Sequence, residues 1–167
     1  MHTACSRFLS AAALFCALGL AGLGAPPGAA PAGAAPVKLI FDTDIGNDVD
    51  DVLALSVIHA LQSRGECGLL AVTITKPDEL AGPFVDAVNR FYRRPGIPIG
   101  HTRAALTNSP SKFLPLAEVK DGRKLRYPRR LKRSSDAPEA TQLLRRVLSR
   151  QHDGAVGLAA EDPAQEL

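Results

Sequence analysis

Five aspartates, Asp42, Asp44, Asp48, Asp50 and Asp51, fall within ten positions, directly after the largely apolar run Val37 to Phe41. The run Val37 to Asp42 (VKLIFD) reads as a short strand buried on both faces, as in a parallel sheet. The stretch from Asp48 to Arg64 has the length of a helix. Val52, Leu53, Leu55, Val57, Ile58 and Leu61 make that helix apolar on most sides, which predicts deep packing. Five carboxylates at the end of a buried strand repel one another, and solvation alone does not favour placing them there. A divalent cation resolves the conflict, since Ca²⁺ takes about six to eight oxygen ligands. Gly46 lets the backbone turn sharply between strand and helix. Helix capping is the plainer reading, because acidic groups near a helix N-terminus meet a favourable dipole. It accounts for Asp48 or Asp50, not for Asp42 and Asp44. An EF-hand is excluded by spacing: with Asp42 as first position, Asn47 stands where the glycine belongs and Leu53 where the bidentate glutamate belongs.

Beyond this point the pattern alternates. Leu69 to Thr75 predicts a second strand, and Phe84, Val85, Val88, Phe91 and Tyr92 one face of a second helix. Ile97-Pro98-Ile99 predicts a brief third strand, residues 101–135 a long loop, and Ala140, Leu143, Leu144, Val147 and Leu148 a third amphipathic helix. Asp136 is the expected N-cap of that helix, with Pro138 in its first turn. Ala155 to Ala159 begins a fourth strand. The fold class expected is α/β: a partial, Rossmann-like parallel sheet of about four strands with flanking helices, where ligands sit at the carboxyl ends of the strands.

Residues 1–34 carry a different pattern. Arg7 is the only Lys, Arg, Asp or Glu before Lys38, and an Ala- and Leu-rich apolar run spans Phe8 to Leu23. That is the layout of a secretory signal, with a small-x-small cleavage site at Ala32-Gly33-Ala34 or earlier at Gly22-Leu23-Gly24. The run is short and glycine-broken for a membrane span, so export is expected rather than a signal anchor. From Ala21 to Pro36 every residue but Leu23 is Ala, Gly or Pro, a tether rather than a packed element. The domain expected to fold is residues 35–167. Cys5 and Cys16 lie in the leader, so Cys67 alone remains and forms no intrachain disulfide.

The segment DTDIGNDVDDVLAL (Asp42 to Leu55) resembles the N-terminal signature of the inosine–uridine-preferring nucleoside hydrolases, in the variant of exported members. The likeness continues through AVTITK (Ala71 to Lys76), AGPFVDAVNRFY (Ala81 to Tyr92) and RPGIPIG (Arg94 to Gly100). It implies a Ca²⁺-dependent hydrolase of the N-glycosidic bond of ribonucleosides. Carried over by position, Asp44 binds Ca²⁺ and is the base toward the attacking water. Asp51 is a bidentate Ca²⁺ ligand, Asp50 holds a ribose hydroxyl, and Asp42 braces the loop. No role follows for Asp48. The family's second strand is usually followed by a sugar-contacting Gly-Asn. Here Thr75-Lys76-Pro77-Asp78 follows, leaving Asp78 or Glu79 as the expected substitutes. Gly157 to Leu167 does not resemble the family's continuation, which supplies a further Ca²⁺ carboxylate, sugar-binding residues and often a histidine for the leaving group. The expectation is therefore a truncated nucleoside hydrolase fold, weakly active or inactive unless copies self-associate into a homo-oligomer. His2, His59, His101 and His152 match no family catalytic position, and His59 is expected to pack or cap.

Two other readings compete. A haloacid-dehalogenase-type phosphatase also opens on strand-Asp-x-Asp, but it wants Thr or Val shortly afterwards. Here Ile45-Gly46-Asn47 follows, and Asp50-Asp51 would go unexplained. The second reading is a non-catalytic exported protein with a basic anion-binding loop. Lys120 to Arg133 holds eight basic residues against Asp121 alone, a local charge of +7 in a chain of net +3. Such a loop attracts phosphates or anionic lipid. With Tyr127 as its one aromatic and no periodic presentation, it is no recognised nucleic-acid module. A solvated, flexible loop is the expectation, and no specific nucleic-acid partner.

Overall fold

The computed structural model describes residues 35–104 and 111–160. The export signal and spacer read at 1–34, and the tail from residue 161, lie outside the described residues. The described residues form one compact unit.

Within it, β1 (Val37–Thr43), α1 (Asp50–Ser63), β2 (Cys67–Ile74), α2 (Ala81–Phe91) and β3 (Ile99–His101) succeed one another as strand, helix, strand, helix, strand. A short hairpin follows, β4 (Lys120–Asp121) with β5 (Lys124–Leu125), then α3 (Ala140–Leu148) and β6 (Val156–Ala160). The main sheet is parallel with order β3-β2-β1-β6. The expected α/β class with a four-stranded parallel, partly Rossmann-like sheet is the one found.

Both faces of the sheet are covered, which is why its strands carry near-continuous apolar runs. Phe41 packs with Leu55 and Ile58 of α1 and with Phe84 and Val85 of α2. Ile40, on the opposite face of β1, packs with Ala71 and with Leu143 of α3. Burying one such Ile or Phe contributes about 1.5–3 kcal/mol. Gly100 marks the closest approach on the α3 face, since a Cβ there would lie 3.0 Å from the Ala140 Cα.

Several expectations need correction. The third strand lies two residues later than Ile97-Pro98-Ile99. Pro98 has no N–H to give the ladder; its carbonyl accepts from Val72 N, and the pairing runs from Ile99 to His101. The third helix is capped by Glu139, whose carboxylate accepts from Gln142 N at 2.8 Å, not by Asp136. Ala137, preceding Pro138, is extended, so the chain becomes helical only after the proline. Asp136 instead closes its own 3₁₀ turn, Ser134–Asp136, by accepting from Arg133 N at 3.1 Å. α1 is not packed all round: Leu53 and Val57, one turn apart, are 60% and 56% exposed because only the opposite face meets the sheet. The described part of 101–135 is not structureless, containing the hairpin and two 3₁₀ turns, Leu114–Glu118 and Ser134–Asp136. Cys67 is free and buried. No described helix is long and apolar enough to cross a membrane.

Candidate functional site

Strand order fixes where a ligand crevice opens. From β1 the chain steps outward through β2 to β3, then returns through α3 to place β6 on the other side of β1. Helices leave β1 on one face and enter β6 from the other, so the strand order reverses between them. Open α/β sheets bind ligands at the carboxyl ends of the strands at such a reversal. The five aspartates lie on or directly after the carboxyl end of β1.

The loop is built from Thr43. Its hydroxyl donates to the Asp51 carboxylate at 2.5 Å and accepts from Ile45 N at 3.1 Å. One side chain thereby ties the strand end to the first turn of α1. Asp51 is 2% exposed although it carries a carboxylate. Gly46 turns the chain at φ 140°, a conformation that side chains resist, and a Cβ there would meet Leu114 Cγ at 2.7 Å. Leu114 is fully buried, and Phe113 N donates to Gly46 O at 3.2 Å, so the 113–118 turn covers the loop from outside.

The carboxyls of Asp48, Asp50 and Asp51 converge, with one oxygen from each within 4.8 Å of the others. This trio is able to hold a metal ion: three hard oxygen donors, two exposed and one buried, are the donor type of Mg²⁺ or Ca²⁺. Asp48 and Asp50 hydrogen-bond through their carboxyls. That contact raises the Asp48 pKa above the ordinary carboxylate value and lowers that of Asp50. Asp50 also accepts from Asp51 N at 2.9 Å, and both residues meet the positive end of the α1 dipole.

Of the residues singled out in the sequence, Asp51 and Asp50 belong to the trio. Asp48, for which no role had followed, is its third member. Asp44 is outside it, though near enough for its charge to help raise the Asp48 pKa. Asp42 is half-buried at the strand end and accepts from the Thr73 hydroxyl of β2. Its pKa is raised, chiefly by burial, against the pull of the Thr73 contact and with help from the Asp44 charge.

Asp78 and Glu79, the expected substitutes for the sugar-contacting pair, both make bonds within the fold. Asp78 accepts from Leu80 N at 2.8 Å and from the Ser111 hydroxyl, and Glu79 accepts from Ser135 N and its hydroxyl. Both hold the chain around the start of α2. Sequence reasoning passed over Lys76 as a ligand-side group. It is 4% exposed, and its ammonium donates to Asn47 Oδ1 at 3.0 Å, inside the acidic loop. A lysine at the end of an apolar strand, in place of a small residue, was the available signal. His59 packs as expected, hydrogen-bonded to Asn89 Oδ1 at 2.8 Å and stacked on Tyr92. An apolar cleft of about 220 Å³, lined by Val52, Phe84, Val88 and Tyr127 among others, borders none of the aspartates.

No family model, no curated protein and no solved structure matches this chain. The functional reading therefore rests on these residues and their placement.

Proposed function

We propose that the acidic loop is the Ca²⁺- and ribose-binding wall of a nucleoside hydrolase-type site, acting on the N-glycosidic bond of ribonucleosides. The observation that carries this reading is the convergence of Asp48, Asp50 and Asp51 at the strand-order reversal. Asp51, held by Thr43, is the ligand common to the convergent trio and to the resemblance. Asp48 and Asp50 complete the protein's share, and Asp50 remains the group that reaches a ribose hydroxyl. When bound, the cation would orient the sugar diol and acidify water.

The remaining roles belong to side chains. Asp44, partly buried beside the trio, takes a proton from the attacking water, as a carboxylate within hydrogen-bond reach can. Asp42 braces the strand end through Thr73. Expulsion of the base passes through an oxocarbenium-like state and needs help at the leaving group. Among the described residues no histidine is placed for that: His59 sits between α1 and α2, His101 Nε2 lies 2.9 Å from Lys76 O, and the exposed His152 precedes β6 at the amino end of the strands. Because such sets are strongly non-additive, turnover is expected to be slow.

The test is calorimetry with Ca²⁺, with and without inosine. Heat that Asp51→Asn and Asp48→Asn each diminish, and tighter Ca²⁺ binding when inosine is present, are the expected results. Titrations that neither substitution changes, or that inosine leaves untouched, overturn the reading. A product assay separates the chemistries. Ribose released from inosine or uridine, and lost in Asp44→Asn, belongs to the hydrolase; phosphate released from a nucleotide belongs to the phosphatase.

A further inference from the structure

The basic segment is absorbed by none of this, and its architecture differs from that of a solvated loop. Three of its charges are spent internally. Arg126 grips Asp121 across the hairpin at 2.6 Å. Arg129 donates to the carbonyls of Ala117, Leu131 and Lys132, and it lies 3.7 Å from Glu118. Arg133 pairs with Asp136 at 3.4 Å. The backbone is pinned as well: the buried Asp86 of α2 accepts from both Arg130 N and Leu131 N, and Ser134 N donates to Glu79 O at 2.8 Å. Gly122 turns the hairpin at φ 64°, the left-handed region that glycine adopts freely.

What this scaffold leaves over is directed charge. Lys120, Arg130 and Lys132 have exposed side chains engaged in no hydrogen bond or ion pair among the described residues. All three line one concavity of about 400 Å³ together with Glu118, Leu125 and Arg129. Arg129 offsets Glu118, so the hollow keeps three uncompensated cations facing a space large enough for two phosphate groups. Concentrating like charge there costs stability and brings no fold contact in return. A ligand with several anionic oxygens would relieve it, Arg130 supplying a planar fork and the lysines point charges.

We propose that this concavity is a binding site for a phosphate-bearing anion, either a free phosphorylated small molecule or the headgroups of an anionic lipid surface. The site is separate from the acidic loop and does not depend on the reading given to it. Free pyrophosphate and vesicles of equimolar phosphatidylglycerol and phosphatidylcholine distinguish the two sources.

Calorimetry of the full chain with inorganic pyrophosphate, and co-sedimentation with those vesicles, form the test. The combined substitution Lys120→Gln, Arg130→Gln, Lys132→Gln should weaken whichever binding is seen by about tenfold or more. Arg145→Gln, Arg146→Gln, Arg150→Gln, which removes the same charge from exposed positions on and just after α3, should leave it within about twofold. Equal loss in both combinations reduces the effect to net charge and overturns the site, as does binding of neither probe. Far-UV dichroism verifies folding. Lys132→Gln alone, at an exposed position, should weaken binding by a smaller factor, and no weakening there with a misfolded triple variant also counts against the site.

Discussion

Thr43→Val tests the joint on which the acidic loop is built. Valine has the shape of threonine, so no cavity opens, and only the hydroxyl is lost. Two hydrogen bonds go with it, one to the Asp51 carboxylate at 2.5 Å and one from Ile45 N at 3.1 Å. The first is to a charged group and contributes about 1.5–3 kcal/mol; the second contributes about 0.5–1.5 kcal/mol. Both orphaned groups are buried, so neither recovers full hydration. Asp51 has a further interaction within the fold, which offsets part of the loss. The expected destabilisation is about 3 kcal/mol, a large share of what holds a domain of this size. Urea unfolding with a chelator present isolates the fold from metal binding. Thr43→Ser keeps the hydroxyl and should cost only about 1 kcal/mol for the lost methyl group. A Thr43→Val protein within about 0.5 kcal/mol of the parent would refute the reasoning. So would a Thr43→Ser protein just as unstable as the valine variant.

Gly46→Ala should destabilise by on the order of 3 kcal/mol, since φ 140° strains any side chain and the new Cβ would sit 2.7 Å from Leu114 Cγ. An unchanged unfolding midpoint would mean that the loop turns differently. Acidification should weaken the fold before the carboxylates titrate. Burial lowers the pKa of both His59 and His101, so below the ordinary 6.5 the unfolded chain binds protons that the folded chain resists. Stability is then complete above pH 6.5 and falls as the pH drops beneath it. Asp42, whose pKa is raised from 3.8 by burial, acts oppositely, its contribution declining as the pH rises through the carboxylate range. Melting temperatures followed from neutral pH downward give the check: a flat or rising profile just below pH 6.5 would contradict it, and His59→Gln should lessen the slope.

Much of the fold was legible because local pattern and burial coincide. The run Val37 to Asp42 ends in a carboxylate, as a parallel strand opening onto a crevice does, and the strand found ends one residue later, at Thr43. What spacing did not carry is direction within the loop. Asp44 and Asp48 are equally plausible companions for Asp51 on a list of positions. The φ of Gly46 and the bond from Thr43 to Asp51 shape the loop in which Asp48 converges with Asp51, and neither is a property of residue type alone. The capping error at the third helix has the same origin. Asp136 is a good cap by type, but the extended residue before Pro138 postpones the helix to Glu139.

The basic segment was hardest to read, and the reason is the range of its partners. A helix or strand announces itself through neighbours a few positions away, whereas this segment is held by groups far off in sequence. Asp86 binds the backbone at Arg130 and Leu131, Ser134 accepts from Gly82 N, and Glu79 binds Ser135. Each anchor comes from α2 or the turn before it, and the side chains that make these bonds, Asp86, Glu79 and Ser134, are of types that announce only solvation. The same bonds that hide the structure from the sequence separate the charges by task. Arg126, Arg129 and Arg133 turn toward Asp121, Glu118 and Asp136. Lys120, Arg130 and Lys132 are left toward the concavity. Six of the eight charges thus fall into two sets once the contacts are known. Arg123 and Lys124, exposed at the hairpin turn, line no part of the hollow, so only the second set converges on it, which is why the charge control on α3 discriminates and a simple salt titration does not.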